Sequence, residues 1–306
     1  MIKSLNIVIL IPVFDDFICL PLLLKKVSET FNSDIGFRFL IIDDGSFHDF
    51  DEKIALKKEY DIKILTLKHN VGHQRSITIG LCSLLNEDDY DYVLVMDGDG
   101  EDNPKDATRL IQTAEGSTQN KIIFARRDVR SEPILFKLGY FSYRLLFRVL
   151  TGKNIKFGNF SLIPKQLISR ITGIPQIWNH YAASILASRI PYEEVSSVRS
   201  TRIVGRSKMN LFSLIVHGLS AISVFIDLIN IRLFIALSIL LIPVTTFGLI
   251  NLIHPPDSTF IVQLSLYLMF TLNMAWFLTF YVNIILLHKR KNAPCIPSDF
   301  CKKMIK

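Results

Sequence analysis

Tyr92-Val93-Leu94-Val95-Met96-Asp97-Gly98-Asp99 is the stretch on which the fold turns. Its apolar, β-branched first half reads as a buried strand. The strand stops abruptly at two carboxylates two residues apart. Three earlier runs have the same form. Residues 6–11 are apolar and end at Pro12, with Asp15 and Asp16 just beyond. Residues 38–42 end at Asp43-Asp44-Gly45-Ser46, and residues 62–67 lead to His69-Asn70-Val71-Gly72. Between them, residues 18–31, 50–60 and 74–85 have helical spacing. Strands alternating with helices imply an α/β unit with a mostly parallel sheet and helices on both faces. In such sheets ligands bind beyond the carboxyl ends of the strands, where these polar clusters lie.

The chain has 306 residues, 49% of them hydrophobic, and a formal charge of +7. That length and hydrophobicity suffice for a packed core and exclude a disordered chain. Four Cys without paired spacing exclude a disulfide scaffold and argue against a zinc site. The charge is unevenly spread. Residues 1–120 hold 12 basic and 21 acidic residues, net −9; residues 121–230 hold 16 and 5, net +11; the remainder holds 7 and 2, net +5. The basic residues fall beside apolar segments rather than in a soluble basic domain, which argues against nucleic acid as a partner. No G-x-x-x-x-G-K-[ST] is present, so a P-loop enzyme is excluded.

Residues 233–256 and 258–287 contain no Asp, Glu, Lys or Arg except Asp257 between them. Each run is longer than the ~20 apolar residues that cross a bilayer. The expected helices cover about 232–254 and 259–287, a two-helix transmembrane hairpin over 231–288. Lys289, Arg290 and Lys291, with Lys302, Lys303 and Lys306, make 289–306 a basic tail. The positive-inside rule puts both ends of the hairpin in the cytoplasm and the His254-Pro255-Pro256-Asp257 turn outside. Residues 1–230 are then a cytoplasmic domain, and the protein a multi-pass protein of the inner (cytoplasmic) membrane. Met1–Asn6 leads into an apolar run without a small-residue cleavage site, so no secretory leader is expected. Two further stretches, about 134–150 and 209–226, are apolar and too short to span. The first carries Lys137, Arg144 and Arg148 among aromatics, and both are expected to lie as amphipathic helices in the membrane interface.

The sharpest chemical signal is Asp97-Gly98-Asp99. Two carboxylates just past a strand suit a shared hard cation, Mg²⁺ or Mn²⁺, which keeps water and substrate phosphates in its shell. Such a cation would neutralise charge on a departing diphosphate. Asp43 and Asp44 are either turn formers or acceptors for a base or ribose. His69, His73 and Gln74 are either loop residues or lining of a nucleotide pocket, and Glu101 and Asp102 read as solvated charge.

Ile11-Pro12-Val13-Phe14-Asp15-Asp16, Asp43-Asp44-Gly45-Ser46, Asn70-Val71-Gly72-His73-Gln74 and Asp97-Gly98-Asp99 together resemble, in order and spacing, the family-2 glycosyltransferases of GT-A fold. The nearest group is that of the polyprenyl-phosphate glycosyltransferases, which includes bactoprenol glucosyltransferases and dolichol-phosphate mannose synthases. The resemblance covers essentially the whole chain, since bacterial members carry the hairpin too. It implies that Pro12, Asp16 and Asp44 help hold a nucleotide sugar, with UDP the expected nucleotide, and that Asp97 and Asp99 hold metal and diphosphate. Arg202, Arg206 and Lys208 resemble the family's basic loop and would meet phosphates of the donor or of a polyprenyl phosphate acceptor. A homo-oligomer is expected on resemblance alone. Two positions depart from the pattern. Phe14-Asp15-Asp16 replaces an aromatic-Asn-Glu, and Asn159 in Gly158-Asn159-Phe160-Ser161-Leu162 stands where bactoprenol glucosyltransferases have an active-site acid. A phosphate nucleophile is already an anion at neutral pH, so the reaction needs no strong base and rests on positioning and charge stabilisation. The expected reaction is a single displacement with inversion at the anomeric carbon. The competing readings are transfer to another membrane or lipid-linked saccharide acceptor, and an inactive membrane-bound scaffold.

Overall fold

The structure is a computed structural model that describes residues 5–16, 18–31, 35–47, 60–117, 120–129, 134–198, 200–204, 211–254, 259–289 and 301–305. The helix expected over 50–60 lies almost wholly outside the described residues, as do Arg206 and Lys208. The chain divides into two compact units. One comprises Met1–Arg144, Asn154–Val224 and Pro294–Lys306; the other comprises Leu145–Lys153 and Phe225–Ala293.

Among the described residues the first unit is built on eight strands: β1 (Leu5–Val13), β2 (Ile35–Asp43), β3 (Ile62–Leu67), β4 (Tyr92–Val95), β5 (Ile122–Val129), β6 (Phe157–Pro164), β7 (Tyr192–Val198) and β8 (Cys301–Ile305). They form one sheet in the order β7-β5-β6-β4-β1-β2-β3-β8. The pairs β1–β2, β1–β4, β2–β3 and β5–β7 are parallel; β4–β6, β5–β6 and β3–β8 are antiparallel. The mostly parallel sheet expected from the sequence is therefore present, with β6 as an antiparallel insert. The chain winds outward from β1 through β2 to β3, then returns to place β4 on the other side of β1. That reversal makes the carboxyl ends of β1 and β4 the switch point where ligands bind in such sheets.

Alternation along the strands explains how both faces are covered. Ile7, Ile9 and Ile11 of β1, with Phe39 and Ile41 of β2, turn to one face. There they meet Leu20, Leu23, Leu24 and Val27 of α1 (Leu20–Thr30) and Ala107, Leu110 and Ile111 of α3 (Pro104–Glu115). Each of the α1 side chains is fully buried, worth about 1.5–3 kcal/mol. Asn103 caps α3 by accepting from Lys105 N at 3.0 Å, and Pro104 occupies its first turn. The other face is closed by α2 (His73–Ser83). At Gly80 this helix comes so near the sheet that a Cβ would lie 2.5 Å from Leu10 Cδ1. Further on come α4 (Ile134–Thr151), α5 (Lys165–Thr172), a 3₁₀ turn at Pro175–Trp178, α6 (Tyr181–Ser188) and α7 (Leu211–Ser223).

The second unit holds α8 (Ile226–Ile253) and α9 (Thr259–Lys289). Ile226–Ile253 and Thr259–Val282 are long and apolar enough to cross a membrane, with mean hydropathies of 2.5 and 1.6. Within the pair, the Trp276 indole donates to Ser238 Oγ at 2.8 Å and stacks on Phe280. The last turns of α4 belong to this unit. Phe147 meets Phe225 edge-on, and Arg232 donates to the Leu150 carbonyl at 3.2 Å, a cation on a helix C-terminus.

Candidate active site

Four loops gather at the carboxyl ends of β1, β2, β3 and β4, and polar side chains tie neighbouring loops to one another. Asp15 adopts a left-handed conformation (φ 48°), which Asp tolerates better than most residues. Its backbone N–H donates to Ser46 Oγ at 2.9 Å, and its carboxylate accepts from Phe47 N at 2.8 Å. The loops after β1 and β2 are thus locked together. Asp43 is buried and accepts from Ser46 N at 3.1 Å, shaping its own turn. Asp44 is buried one residue further on. Its two oxygens accept from Val71 N at 2.7 Å and Gly72 N at 3.0 Å. Burial pushes the Asp44 carboxyl above its ordinary range, although those two hydrogen bonds and one from Ser76 pull it down. Asp44 therefore anchors the turn that launches α2, immediately before His73 and Gln74.

At the switch point the two carboxylates expected to act together have separate partners. Asp97 lies 3.1 Å from His73 Nε2, and its backbone N–H donates to Asp102 Oδ2 at 2.9 Å. Asp102, expected to be solvated, is buried. Asp99 accepts from Glu101 N at 3.0 Å and faces Arg202 Nη1 at 3.5 Å. The same guanidinium donates to Asp16 through Nη2, and the Arg202 side chain is only 14% exposed. Arg202 thus ties the loop after β1 to the turn after β4, 186 residues away from Asp16 along the chain. The segment around it is held to that turn by Ser200 N to Glu101 O at 2.9 Å and Ile203 N to Asp99 O at 3.2 Å. Gly100, at φ +77°, permits the approach: a Cβ there would lie 2.3 Å from Ile203 Cδ1. Pro12 is the penultimate residue of β1, and its carbonyl lies 3.2 Å from where a Gly98 Cβ would be.

β6 brings in Asn159. Val95 pairs with Ser161 in antiparallel register, and continuing that register sets Asn159 opposite Asp97. Its carboxamide touches two residues of α2: Oδ1 accepts from Gln74 Nε2 at 3.2 Å, and Nδ2 lies 3.0 Å from His73 Nε2. Gln74, expected to line a nucleotide pocket, is buried and uses its other end to accept from Tyr181 N at 2.7 Å. Burial pulls the His73 ring pKa down, but the Asp97 carboxylate outweighs it and the net direction is up. Nearby, His180 caps α6 by accepting from Ala183 N at 3.3 Å. Burial drops its pKa to about 3, and His217, with its ring 4.7 Å away, adds to the drop. Neither histidine stood out in the sequence, because a lone His with no motif around it carries no signal.

The donor chemistry of Asp97 and Asp99 fits a hard divalent cation. Among the described residues no group of three or more His, Cys, Asp or Glu side chains is arranged to hold a metal ion by itself. The two carboxylates would supply part of the shell, and phosphate oxygens and water the rest.

The glycosyl transferase family 2 model matches residues 8–171, more than half of the chain and every strand-end loop described above except that of Arg202. The chain belongs to glycosyl transferase family 2. This family-2 glycosyltransferase is 22% identical over 241 residues to the uncharacterized glycosyltransferase YkcC of Bacillus subtilis, spanning 74% of this chain and 70% of that one. It is 24% identical over 229 residues to the undecaprenyl-phosphate 4-deoxy-4-formamido-L-arabinose transferase of Photorhabdus laumondii, covering 70% of this chain and 65% of that one, just under two thirds. Among solved structures, glucosyl-3-phosphoglycerate synthase from Mycobacterium tuberculosis, crystallised with Mn²⁺, UDP-glucose and phosphoglyceric acid, superposes with a TM-score of 0.53. The two are 13% identical over 73% of this chain and 79% of that one. At that identity the likeness establishes the fold, which is GT-A.

Proposed function

We propose that this glycosyltransferase is membrane-anchored and moves a sugar from a nucleotide-sugar donor, most simply a UDP-sugar, to a polyprenyl phosphate at the cytoplasmic face of the inner membrane. The observation that carries the reading is the meeting, at one switch point, of a carboxylate pair, a half-buried arginine and an uncharged residue 159. Asp97 and Asp99 would hold Mg²⁺ or Mn²⁺ with the donor diphosphate, and the cation supplies charge neutralisation for the leaving group. Pro12, Asp16 and the loop that Asp44 anchors border the nucleotide. Arg202 changes partners from Asp99 to the diphosphate when the donor enters, and Arg206 and Lys208 follow it in the chain as further phosphate ligands. An oxygen of the acceptor phosphate attacks the anomeric carbon as the bond to the diphosphate breaks, and the departing electron pair stays on the diphosphate. No proton need be removed, so an amide at 159 is compatible with turnover.

Two features support a membrane-borne acceptor. α8 and α9 have the length and apolarity of a hairpin anchor. The helix α4 exposes Phe141, Leu145 and Val149 on one stripe beside exposed Arg144 and Arg148, and α7 exposes Phe212, Ile215 and Leu219. The α4 stripe, flanked by Arg144 and Arg148, suits an anionic lipid surface. The isoprenoid would stay in lipid while its phosphate reaches the switch point. The test is purified protein in detergent with labelled nucleotide sugars, undecaprenyl phosphate and Mn²⁺ or Mg²⁺. Label entering the organic phase with wild type but not with Asp99→Ala is the expected result. Metal-dependent donor binding without transfer to any lipid phosphate would move the acceptor to a lipid-linked saccharide, and no donor binding would leave a scaffold.

A further inference from the structure

Arg148, Lys153 and Arg232 meet where the last turn of α4 packs on the first turns of α8, all within the second unit. α4 ends in a left-handed Gly152 (φ 68°), whose N–H donates to the Arg148 carbonyl at 2.8 Å. Residues 148 and 152 thus share one helix face, a turn apart. The Arg232 guanidinium lies over the same glycine. A Cβ there would be 2.6 Å from Nη2, and Nη1 donates to the Leu150 carbonyl at 3.2 Å. Lys153 follows Gly152 directly, its N–H held by Thr151 Oγ1 at 3.1 Å. All three cationic residues are exposed, and among the described residues none of them is in an ion pair. Arg232 spends one of its five N–H groups on Leu150 and keeps four. Like charges gathered at one turn repel one another, and the carbonyls ending α4 offset only about half a charge. The arrangement is short of an anion.

Depth says which anion. After Arg232, residues 233–253 of α8 hold no Asp, Glu, Lys or Arg. At 1.5 Å per residue that stretch rises about 31 Å, against about 30 Å for a bilayer's hydrocarbon core. Arg232 therefore stands at the level of the lipid phosphates. Helical side chains lean toward the N-terminus, here toward the headgroups. Beside the cations, Leu145, Val149 and Leu233 are exposed. We propose that Arg148, Lys153 and Arg232 bind the phosphate of one anionic phospholipid of the cytoplasmic leaflet, with its acyl chains along Leu145, Val149 and Leu233. The unused edge of the Arg232 fork takes two phosphate oxygens, and Arg148 and Lys153 supply further positive charge. A free phosphate would leave the apolar side chains uncovered. The bound lipid bridges the end of α4 and the start of α8. This inference rests on the hairpin crossing the membrane, part of the function proposed above, and not on the identity of the sugar acceptor.

The test is native mass spectrometry of the full chain in detergent, titrated with phosphatidylglycerol or with phosphatidylcholine. Wild type is expected to retain one phosphatidylglycerol at least about tenfold more tightly than phosphatidylcholine, the scale of one charge-assisted hydrogen bond. Arg148→Gln should weaken phosphatidylglycerol about fivefold, the effect of one basic residue near a lipid surface. Its side chain makes no hydrogen bond among the described residues, so that loss does not reflect misfolding. Arg232→Gln should cost at least about tenfold, and Arg232→Lys, which keeps the charge without the fork, should fall between it and wild type. Lys25→Gln, on the exposed face of α1, is the control and should stay within about twofold. Equal retention of the two lipids, or a Lys25→Gln loss as large as that of Arg148→Gln, would overturn the site. Displacement of phosphatidylglycerol by inorganic phosphate would overturn the lipid, and one-for-one displacement by undecaprenyl phosphate would give the site to the acceptor. Loss of lipid selectivity with sugar transfer intact strikes this proposal alone. Selective lipid binding by a wild type that transfers to no lipid phosphate upholds the site and strikes the acceptor assignment.

Discussion

Asp44→Ala is the substitution from which the structure makes its most quantitative demand. The Asp44 carboxylate accepts from Val71 N at 2.7 Å and Gly72 N at 3.0 Å, and these two bonds hold the loop after β3 against the end of β2. Removing the side chain leaves two partly buried N–H groups without their acceptor, at about 1–3 kcal/mol each. The loss is reduced by not having to bury a carboxylate, the same burial that pushes its pKa up. We expect a net destabilisation of about 3 kcal/mol, or about 6–12 °C in Tm for a domain of this size. The loss is local first. Exchange of the Val71 and Gly72 amides, followed by hydrogen–deuterium exchange, should quicken roughly a hundredfold, the factor that 3 kcal/mol represents. Asp44→Asn keeps one accepting oxygen and should fall about midway. Because His73 and Gln74 follow directly, activity should fall in the same order. A variant within about 0.5 kcal/mol of wild type, with unchanged exchange at those two amides, would show that Asp44 does not anchor the loop.

Three other outcomes follow from the same geometry. Gly80→Ala should destabilise by about 1–3 kcal/mol in thermal unfolding, because its methyl would meet Leu10 and Ile42 in a packed interior. Arg202→Ala should bind Mn²⁺ alone about three- to tenfold more tightly, by losing a cation that competes for Asp99, while nucleotide sugar binds more weakly; calorimetry separates the two. His180 is neutral when folded, with a pKa of about 3, and titrates near 6.5 when unfolded. Its share of stability is therefore full above the unfolded value and is lost as pH falls toward 3. Between pH 7 and pH 5 it should cost about 2 kcal/mol, and the loss should vanish in His180→Asn, which keeps a capping acceptor but does not titrate. Comparing the Tm of both proteins across that range isolates the effect from the carboxylates and from His73 and His217.

The winding of β1 to β4 and the four strand-end clusters were legible because each strand is a short apolar run that stops at turn-forming residues. The two long apolar helices were legible from length alone, although α8 begins at Ile226, six residues before the expected start, since Asp227 and Arg232 obscured its first turns. The other half of the sheet was not. β5, β6 and β7 pair across large sequence separations, and β8 is a five-residue strand in what reads as a basic tail. Nothing local marks such partners. The same limit applies to the site. Asp97, Asp99 and Asn159 could be picked out as chemistry, but the bonds that position them could not. Asp16 meets Arg202 over 186 residues, and Gln74 meets Tyr181 over 107. Gln74 read as a pocket residue because a polar side chain at a helix start looks exposed. Its burial between Tyr181 and Asn159 is a property of the fold, not of its neighbours in the chain.

The central claim is that the acceptor arrives as an anion and needs no base from position 159. The most direct measurement compares undecaprenyl phosphate with undecaprenol, the same lipid bearing a free hydroxyl, as acceptors for the purified wild-type enzyme with its best nucleotide sugar and Mn²⁺. Transfer to the phosphate alone, with the rate flat across the pH range in which that phosphate stays charged, is the predicted result. Transfer to undecaprenol at a comparable rate would contradict it.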